Sequence, residues 1–338
     1  MDNQRVVITA YGDASALKLI HEAVPQPKSG EVRIRVEAAG VSFGDVLQRL
    51  GLFFAGAPAM PYTPGYDVVG TIDSVGPGVG SVRAGDRVAA LTLFGGYARY
   101  VCVPVEYVVT GVPGGMDAVK AVALVLNYTT AFQMLRRAAD VRAGQRILVY
   151  GGSGGVGSAV LDVAHHMGVV VAAAISKRWQ ASFMGQAALL FDERDAASVE
   201  TLRGFQPAGF DVAFDGLGGS HVWRTRKLVA KHGKLVAFGI TSAVKPGGGR
   251  DRSQVVRLLS LLAFAKVFRR PAIELYAMDR RIKTHRQEIN GDIRTVIELL
   301  HNGAINPRIG ATFALADAEQ AHRLLESRNN VGKIVLVP

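Results

Sequence analysis

The first part of the chain, residues 1 to about 122, carries short strand-like runs at 6–9, 31–37, 67–73 and 86–91. Several are separated by Gly/Pro-rich turns such as VGPGVG at 75–80, which predicts a β-rich domain. From about residue 118 the pattern changes. Apolar runs at 147–150, 169–175, 212–214 and 235–239 alternate with helical stretches, which predicts a parallel sheet covered on both faces. The tail has a helix at 317–327 and a last strand at 333–337, expected to return to the first domain. The expected organisation is 1–124, a first β domain; 125–287, an α/β domain; and 288–338, the return. The run 255–268 is apolar but broken by Arg257 and Lys266. It reads as a helix over the α/β domain or along a cleft, with a membrane-surface role as the lesser alternative.

One segment gives the α/β domain a chemistry. The apolar run ending at Tyr150 enters GGSGGVG at 151–157, and a helix-like stretch follows. Gly152, Gly154 and Gly157 have the G-x-G-x-x-G spacing that turns tightly, lets backbone approach a pyrophosphate, and lets the helix pack close with its N–H groups on the phosphates. Gly155 and Val156 lie in the same turn. At the end of the second strand, where an acid would bind a ribose 2′-hydroxyl, the chain has Ser176, Lys177 and Arg178. A hydroxyl and two cations suit a 2′-phosphate, so the expected cofactor is NADPH.

A different pattern overlaps this one. Gly151, Ser153 and Gly155 match the G-x-S-x-G nucleophile elbow. Asp215 with His232 or His301 would then complete a triad, but this reading leaves Gly157 and the basic strand end unexplained. The eight histidines show no ligand spacing, and the adjacent His165 and His166 point in different directions on a helix, so no metal is expected.

Charge sharpens the picture locally. The net charge is +11, and residues 245–286 hold eleven Lys/Arg against three acids, so most of the excess sits in one segment. An acidic partner for it and a plain solvated face are the two readings. The single cysteine, Cys102, excludes an internal disulfide and a multi-cysteine zinc cluster. The opening Met-Asp-Asn-Gln-Arg has no apolar signal core behind it, and no uninterrupted apolar run reaches a membrane span, so a cytoplasmic setting is expected.

Nearly the whole chain resembles the medium-chain dehydrogenase/reductase superfamily. The matching pieces run in order: AGVSFGDV (39–46), PGYDVVG (64–70), VRAGDRV (82–88), GYARY (96–100), NYTTAF (127–132), the glycine turn, DVAFDGLGG (211–219), GKLVAFG (233–239) and VGKIVL (331–336). The zinc-independent quinone oxidoreductase branch is most similar, and NYTTAF, RRP (269–271) and SRNNVGK (327–333) resemble its vesicle-amine-transport-protein-like members. The resemblance implies a GroES-like β-rich domain, a doubly wound Rossmann domain and a cleft between them. Zinc alcohol dehydrogenases have cysteine, histidine and glutamate where this chain has Ser42, Tyr66 and Asp67. What remains is hydride transfer to an already conjugated acceptor, a quinone or enone.

The resemblance also assigns residues. Thr130 is expected beside the nicotinamide, and Gly216, Leu217, Phe238, Gly239 and Ile240 along the nucleotide groove, with Asn330 reaching it from the tail. Ser42, Phe43, Phe53 and Phe94 are expected to line an apolar substrate pocket. Members often carry a tyrosine where Phe53 stands, and many have asparagine at Ser42. If that tyrosine donates the proton, this chain must use another donor, with Tyr128 and Tyr66 the candidates; water or a self-acidic quinone would need none. Residues 281–285 are expected to form the edge strand of a homodimer. Three functions compete: a reductase of free quinones or enones, an enoyl-type biosynthetic reductase docking an acidic carrier protein on 245–286, and a low-turnover NADPH-binding protein. Nucleic acid is not an expected partner of the reductases.

Overall fold

A computed structural model describes residues 2–53, 56–245, 249–267 and 271–338. Phe268, Arg269 and Arg270, and the side chain of Lys266, all named above in the basic segment, lie outside the described residues. The chain forms two compact units: residues 2–129 with 278–338, and residues 130–245 with 249–277. The junctions thus fall at 129/130 and 277/278 rather than at 124/125 and 287/288. The helical run at 118–138 continues through the first junction, and the helices Met278–Thr284 and Arg286–His301 belong to the first unit.

The first unit is built on β strands. The strands β1 (Asp2–Ile8) and β2 (Leu17–Ala23) form an antiparallel hairpin. The others are β3 (Glu31–Val41), β4 (Asp67–Val75), β5 (Arg87–Leu91), β6 (Tyr100–Pro104) and β7 (Val108–Thr110). In β3, Val32, Ile34 and Val36 are buried while Arg33 and Arg35 alternate with them, the period-2 pattern of a half-buried strand.

In the second unit, β8 (Arg146–Tyr150), β9 (Val170–Ala174), β10 (Leu189–Phe191), β11 (Phe210–Asp215), β12 (Val229–Ala237) and β13 (Ala272–Leu275) form a wholly parallel sheet. Its order is β10-β9-β8-β11-β12-β13. Connections run outward both ways from β8, the doubly wound arrangement whose ligands meet the C-terminal strand ends.

The last strands are β14 (Ile309–Ala314) and β15 (Lys333–Val337). They join the first unit's sheet in the order β14-β15-β3-β4-β5-β7, with β6 pairing β3. The tail therefore returns to the first unit: Val335 pairs with Gly40, and Gly40 pairs with Asp67 on its other side.

Two expectations are corrected. Residues 281–285 are not an edge strand: Met278–Thr284 is a helix. Met278 and Ile282, four residues apart, are its buried residues, and Asp279 lies in its first turn, so helical spacing prevails over strand. The strand at that sheet edge is β13. The described part of that run, 255–267, belongs to the helix Arg252–Val267, on which Val256 and Leu259 are exposed. The helical run Ala118–Ala138 has the length and composition of a membrane span, but 78% of its most apolar window is buried inside the protein, as in a core helix.

Candidate functional site

In the second unit the predicted nucleotide residues gather at the C-terminal ends of adjacent strands. After β8 the chain turns at Gly151 (φ 77°) and starts the helix Gly155–His166 with Gly154 as its N-cap. A Cβ on Gly157 would lie 2.0 Å from the Gly151 carbonyl oxygen, so only glycine lets the helix start this close to the turn. After β11, Asp215 Oδ1 accepts the N–H groups of Leu217 and Gly218, both at 2.9 Å, and fixes the Gly216–Leu217 turn. That turn touches the Phe238–Gly239–Ile240 turn after β12, where a Cβ on Gly239 would lie 2.4 Å from Gly216 O.

Ser176 follows β9 at the N-cap position of the short helix Lys177–Gln180, with no side-chain capping bond among the described residues. The Lys177 ammonium is exposed, 3.6 Å from Asp195, and the Arg178 guanidinium lies over the Trp179 ring. Sequence reasoning missed the adjoining pair. Asp192, at the end of β10, accepts from Lys177 N at 3.1 Å and holds Arg194 through two bonds, which depress its carboxyl pKa. The Arg194 cation thus stands beside the same strand end. Thr130, in the same unit, has a buried hydroxyl oxygen with no hydrogen-bond partner among the described residues. A close glycine turn, exposed cations at the β9 end and an orphaned hydroxyl fit a phosphorylated dinucleotide.

The elbow reading is not supported by the geometry of Asp215. Its Oδ2 lies 2.7 Å from His221 Nδ1 and accepts from Thr225 Oγ1 at 2.7 Å. His221, rather than His232 or His301, is its partner, and Asp215 serves the turn after β11.

In the first unit the expected substrate residues cluster. Phe53 meets Tyr66 and Phe94 edge-on, with ring centroids 5.9 and 6.0 Å apart, and Phe94 meets Tyr62 at 5.8 Å. Phe43 opens the helix Phe43–Arg49, and Ser42 caps it in a capping box with Asp45. A Cβ on Gly44 would lie 2.6 Å from the Tyr66 ring, so the helix start and the tyrosine are in close contact. Burial raises the Tyr66 phenol pKa well above its ordinary value. Tyr62, which the sequence did not single out, has a buried hydroxyl without a partner among the described residues, and burial pushes its pKa up to about 12. Tyr128 is buried in the π-helical turn Leu124–Tyr128, which packs on β4 and β5. Asn330 Nδ2 donates to Gly332 O at 3.3 Å within the first unit.

The positions that hold zinc in alcohol dehydrogenases do not fit the ion here. Ser42 Oγ donates to Asp45, and Tyr66 is a neutral phenol. Asp67 accepts from Lys333 Nζ at 2.8 and 3.1 Å in a wholly buried ion pair. A cation already occupies the carboxylate that a metal would need, and among the described residues no thiolate or imidazole accompanies it.

Fold and site together define an oxidoreductase of the dinucleotide-binding kind. A family model for the alcohol dehydrogenase GroES-like domain matches residues 28–114, and one for zinc-binding dehydrogenases matches 184–336. The mouse (Mus musculus) synaptic vesicle membrane protein VAT-1 homolog-like is 30% identical, over 98% of this chain and 80% of its own. The Rattus norvegicus quinone oxidoreductase is 29% identical, over 97% and 95%. A mycobacterial protein solved in complex with NADPH has a TM-score of 0.83 and 27% identity, covering 99% of this chain and 100% of that one. The chain belongs to the medium-chain dehydrogenase/reductase superfamily, in its zinc-independent quinone oxidoreductase branch.

Proposed function

We propose that this oxidoreductase uses NADPH to reduce a quinone or an α,β-unsaturated carbonyl. The observation that carries the reading is the Asp67–Lys333 pair, which replaces a Lewis-acid site with a neutralised carboxylate beside an aromatic cluster. An acceptor must then be electrophilic through its own conjugation. Bound NADPH supplies the hydride. Gly152, Gly154, Gly155, Val156 and Gly157 bind the pyrophosphate; Ser176, Lys177 and Arg178, with Arg194 beside them, bind the 2′-phosphate. Thr130 takes the nicotinamide side, and Phe53, Phe94, Tyr66, Phe43 and Ser42 bind the acceptor. Tyr66 and Tyr128 act as hydrogen-bond donors to the acceptor oxygen. A phenol as neutral as Tyr66 orients better than it ionises. NADPH oxidation followed at 340 nm with a panel of quinones and enones tests the reading. NADPH binding without turnover on any acceptor would replace it with the low-turnover binding function.

The +8 charge of residues 245–286 favours a second reading, an enoyl-type reductase whose substrate arrives on an acidic carrier protein. Reversing Arg250, Arg252 and Arg257 to Glu should raise KM for a carrier-bound enoyl substrate and leave the free thioester unchanged; equal rates on both would remove it. A homodimer, tested by light scattering, completes the proposal.

A further inference from the structure

A line of buried hydrogen bonds runs from Ser42 into the interior of the first unit. Ser42 Oγ donates to Asp45 Oδ2 at 2.7 Å, and Ser42 N donates to the same oxygen at 2.8 Å. Tyr97 Oη donates to it at 3.3 Å. On its far side Tyr97 Oη lies 3.1 Å from His322 Nε2, while His322 Nδ1 accepts from Arg49 Nε at 3.4 Å. Arg49 is paired with Glu326. Asp45 Oδ1 accepts from Gly65 N at 3.0 Å. All six side chains are buried, Ser42 being 8% exposed and Asp45 wholly enclosed.

A capping box explains Ser42 and Asp45. It does not explain why tyrosine, histidine and arginine extend the line. The donor directions do. Burial holds the His322 pKa down at about 3, so the ring is neutral. With Arg49 donating to Nδ1, the ring proton sits on Nε2 and points at Tyr97, whose own proton points at Asp45. Every proton from Arg49 onward is therefore directed at the Asp45 carboxylate. The other titratable groups facing Asp45 are Asp67 and Lys333, from β4 and β15, and the phenols of Tyr62 and Tyr66. Burial pushes the Asp45 pKa up to about 6. Ionised, Asp45 draws the Ser42 hydroxyl inward. Protonated, it donates to Ser42 Oγ and leaves the Ser42 proton free to point away from Asp45.

We propose that Ser42 delivers the proton of the reduction and that Asp45 is the reservoir behind it, the remaining residues being positioning residues. This rests on the reductase reading above. After hydride addition the acceptor carries an oxyanion. The Ser42 O–H bond breaks as an O–H bond forms on that oxygen. The Asp45 proton moves to Ser42 Oγ, so the serine is neutral throughout. The Asp45 carboxylate left behind is held by Ser42 N, Gly65 N and Tyr97 Oη, and its proton returns from solvent through the Ser42 hydroxyl, the partly exposed group bonded to it. No electron moves in this half of the reaction.

The experiment compares wild type, Ser42→Ala and Ser42→Thr with saturating NADPH and an α,β-unsaturated ketone from pH 5 to 8, with NADPH affinity measured by fluorescence. Wild-type kcat should fall about tenfold per pH unit above about 6. Ser42→Ala should lose at least about tenfold in kcat and flatten that profile, at unchanged NADPH affinity, while Ser42→Thr restores both. A second measurement follows the ¹³C-labelled aspartate carboxyls by NMR in wild type and Asp45→Asn. One should titrate near pH 6 in wild type and vanish in Asp45→Asn. Wild-type turnover with an unchanged rate and profile in Ser42→Ala would overturn the proposal alone. So would an Asp45 carboxyl that does not titrate near 6. Absence of turnover with every acceptor would overturn the reductase reading, and the relay with it.

Discussion

The Asp67–Lys333 pair makes a demanding prediction about stability. The two residues are 266 positions apart in sequence, meet at 2.8 Å and are almost wholly enclosed. They fit because β3 places Gly40 between them: a Cβ there would lie 2.3 Å from Lys333 Cε and 2.4 Å from Asp67 Oδ1. Lys333→Met leaves a buried carboxylate whose remaining partner among the described residues is the backbone N–H of Leu126. Removing one partner of such a pair costs about 3–5 kcal/mol, a large part of a domain's roughly 5–15 kcal/mol. Asp67→Leu should cost a similar amount through the stranded ammonium. The double variant, with an apolar pair of similar volume, should recover most of the loss.

The pH dependence has a definite sign. Burial raises the Asp67 pKa and Lys333 opposes the rise. Without Lys333 the folded-state pKa climbs further above the unfolded value. As pH rises through the unfolded pKa the unfolded chain releases the proton while the folded chain keeps it, and stability falls until the folded pKa is reached. The penalty of Lys333→Met should therefore be greatest at neutral pH and shrink toward pH 4. Both tryptophans, Trp179 and Trp223, lie in the second unit, so urea unfolding of the first unit is read by hydrogen exchange of β3 and β15 peptides, with tryptophan fluorescence as the control. Single variants that cost under about 1 kcal/mol, or a double variant as unstable as either single, would refute the argument.

Three further outcomes concern the nucleotide unit. Gly157→Ala drives a methyl to 2.0 Å from the Gly151 carbonyl, so NADPH affinity should drop at least about tenfold by fluorescence titration while hydrogen exchange of β3 and β15 is unchanged. Lys177→Ala with Arg178→Ala should weaken NADPH at least about tenfold and NADH little, since each charge-assisted bond contributes about 1.5–3 kcal/mol; equal weakening would place the 2′-phosphate elsewhere. Thr130→Val removes a hydroxyl that has no partner among the described residues, so thermal stability without nucleotide should hold or rise while NADPH KM increases; a loss of stability would show that the hydroxyl serves the fold.

These predictions divide along a line that separates what the sequence makes legible from what it does not. The strand, glycine turn and helix at 146–166 are contiguous, and the turn's backbone demands write themselves into residue type, so the nucleotide site is readable. The Ser42–Asp45 capping box is local too, spelled S-F-G-D. The edge strand expected at 281–285 failed because a short charged run carries little period, and only the burial of Met278 and Ile282 reveals a helix. Asp215 was visible as an acid, but its partner, His221, lies six residues on, within the next helix. The hardest features to read are the pairs made by chain return. Arg49 meets His322 across 273 residues, and Asp67 meets Lys333 across 266. Both depend on the closing segment of the chain, with β15 lying beside β3 in the one register that sets Val335 against Gly40 and Gly40 against Asp67. A shift of one residue would turn the Lys333–Asp67 contact to the other face of the sheet. The tail thus does more than close a domain: it brings Lys333 to the carboxylate at a zinc-ligand position, and its preceding helix brings His322 to Tyr97 behind Asp45. The chemistry proposed for Ser42 is consequently as dependent on residues 318–337 as on the segment that contains it.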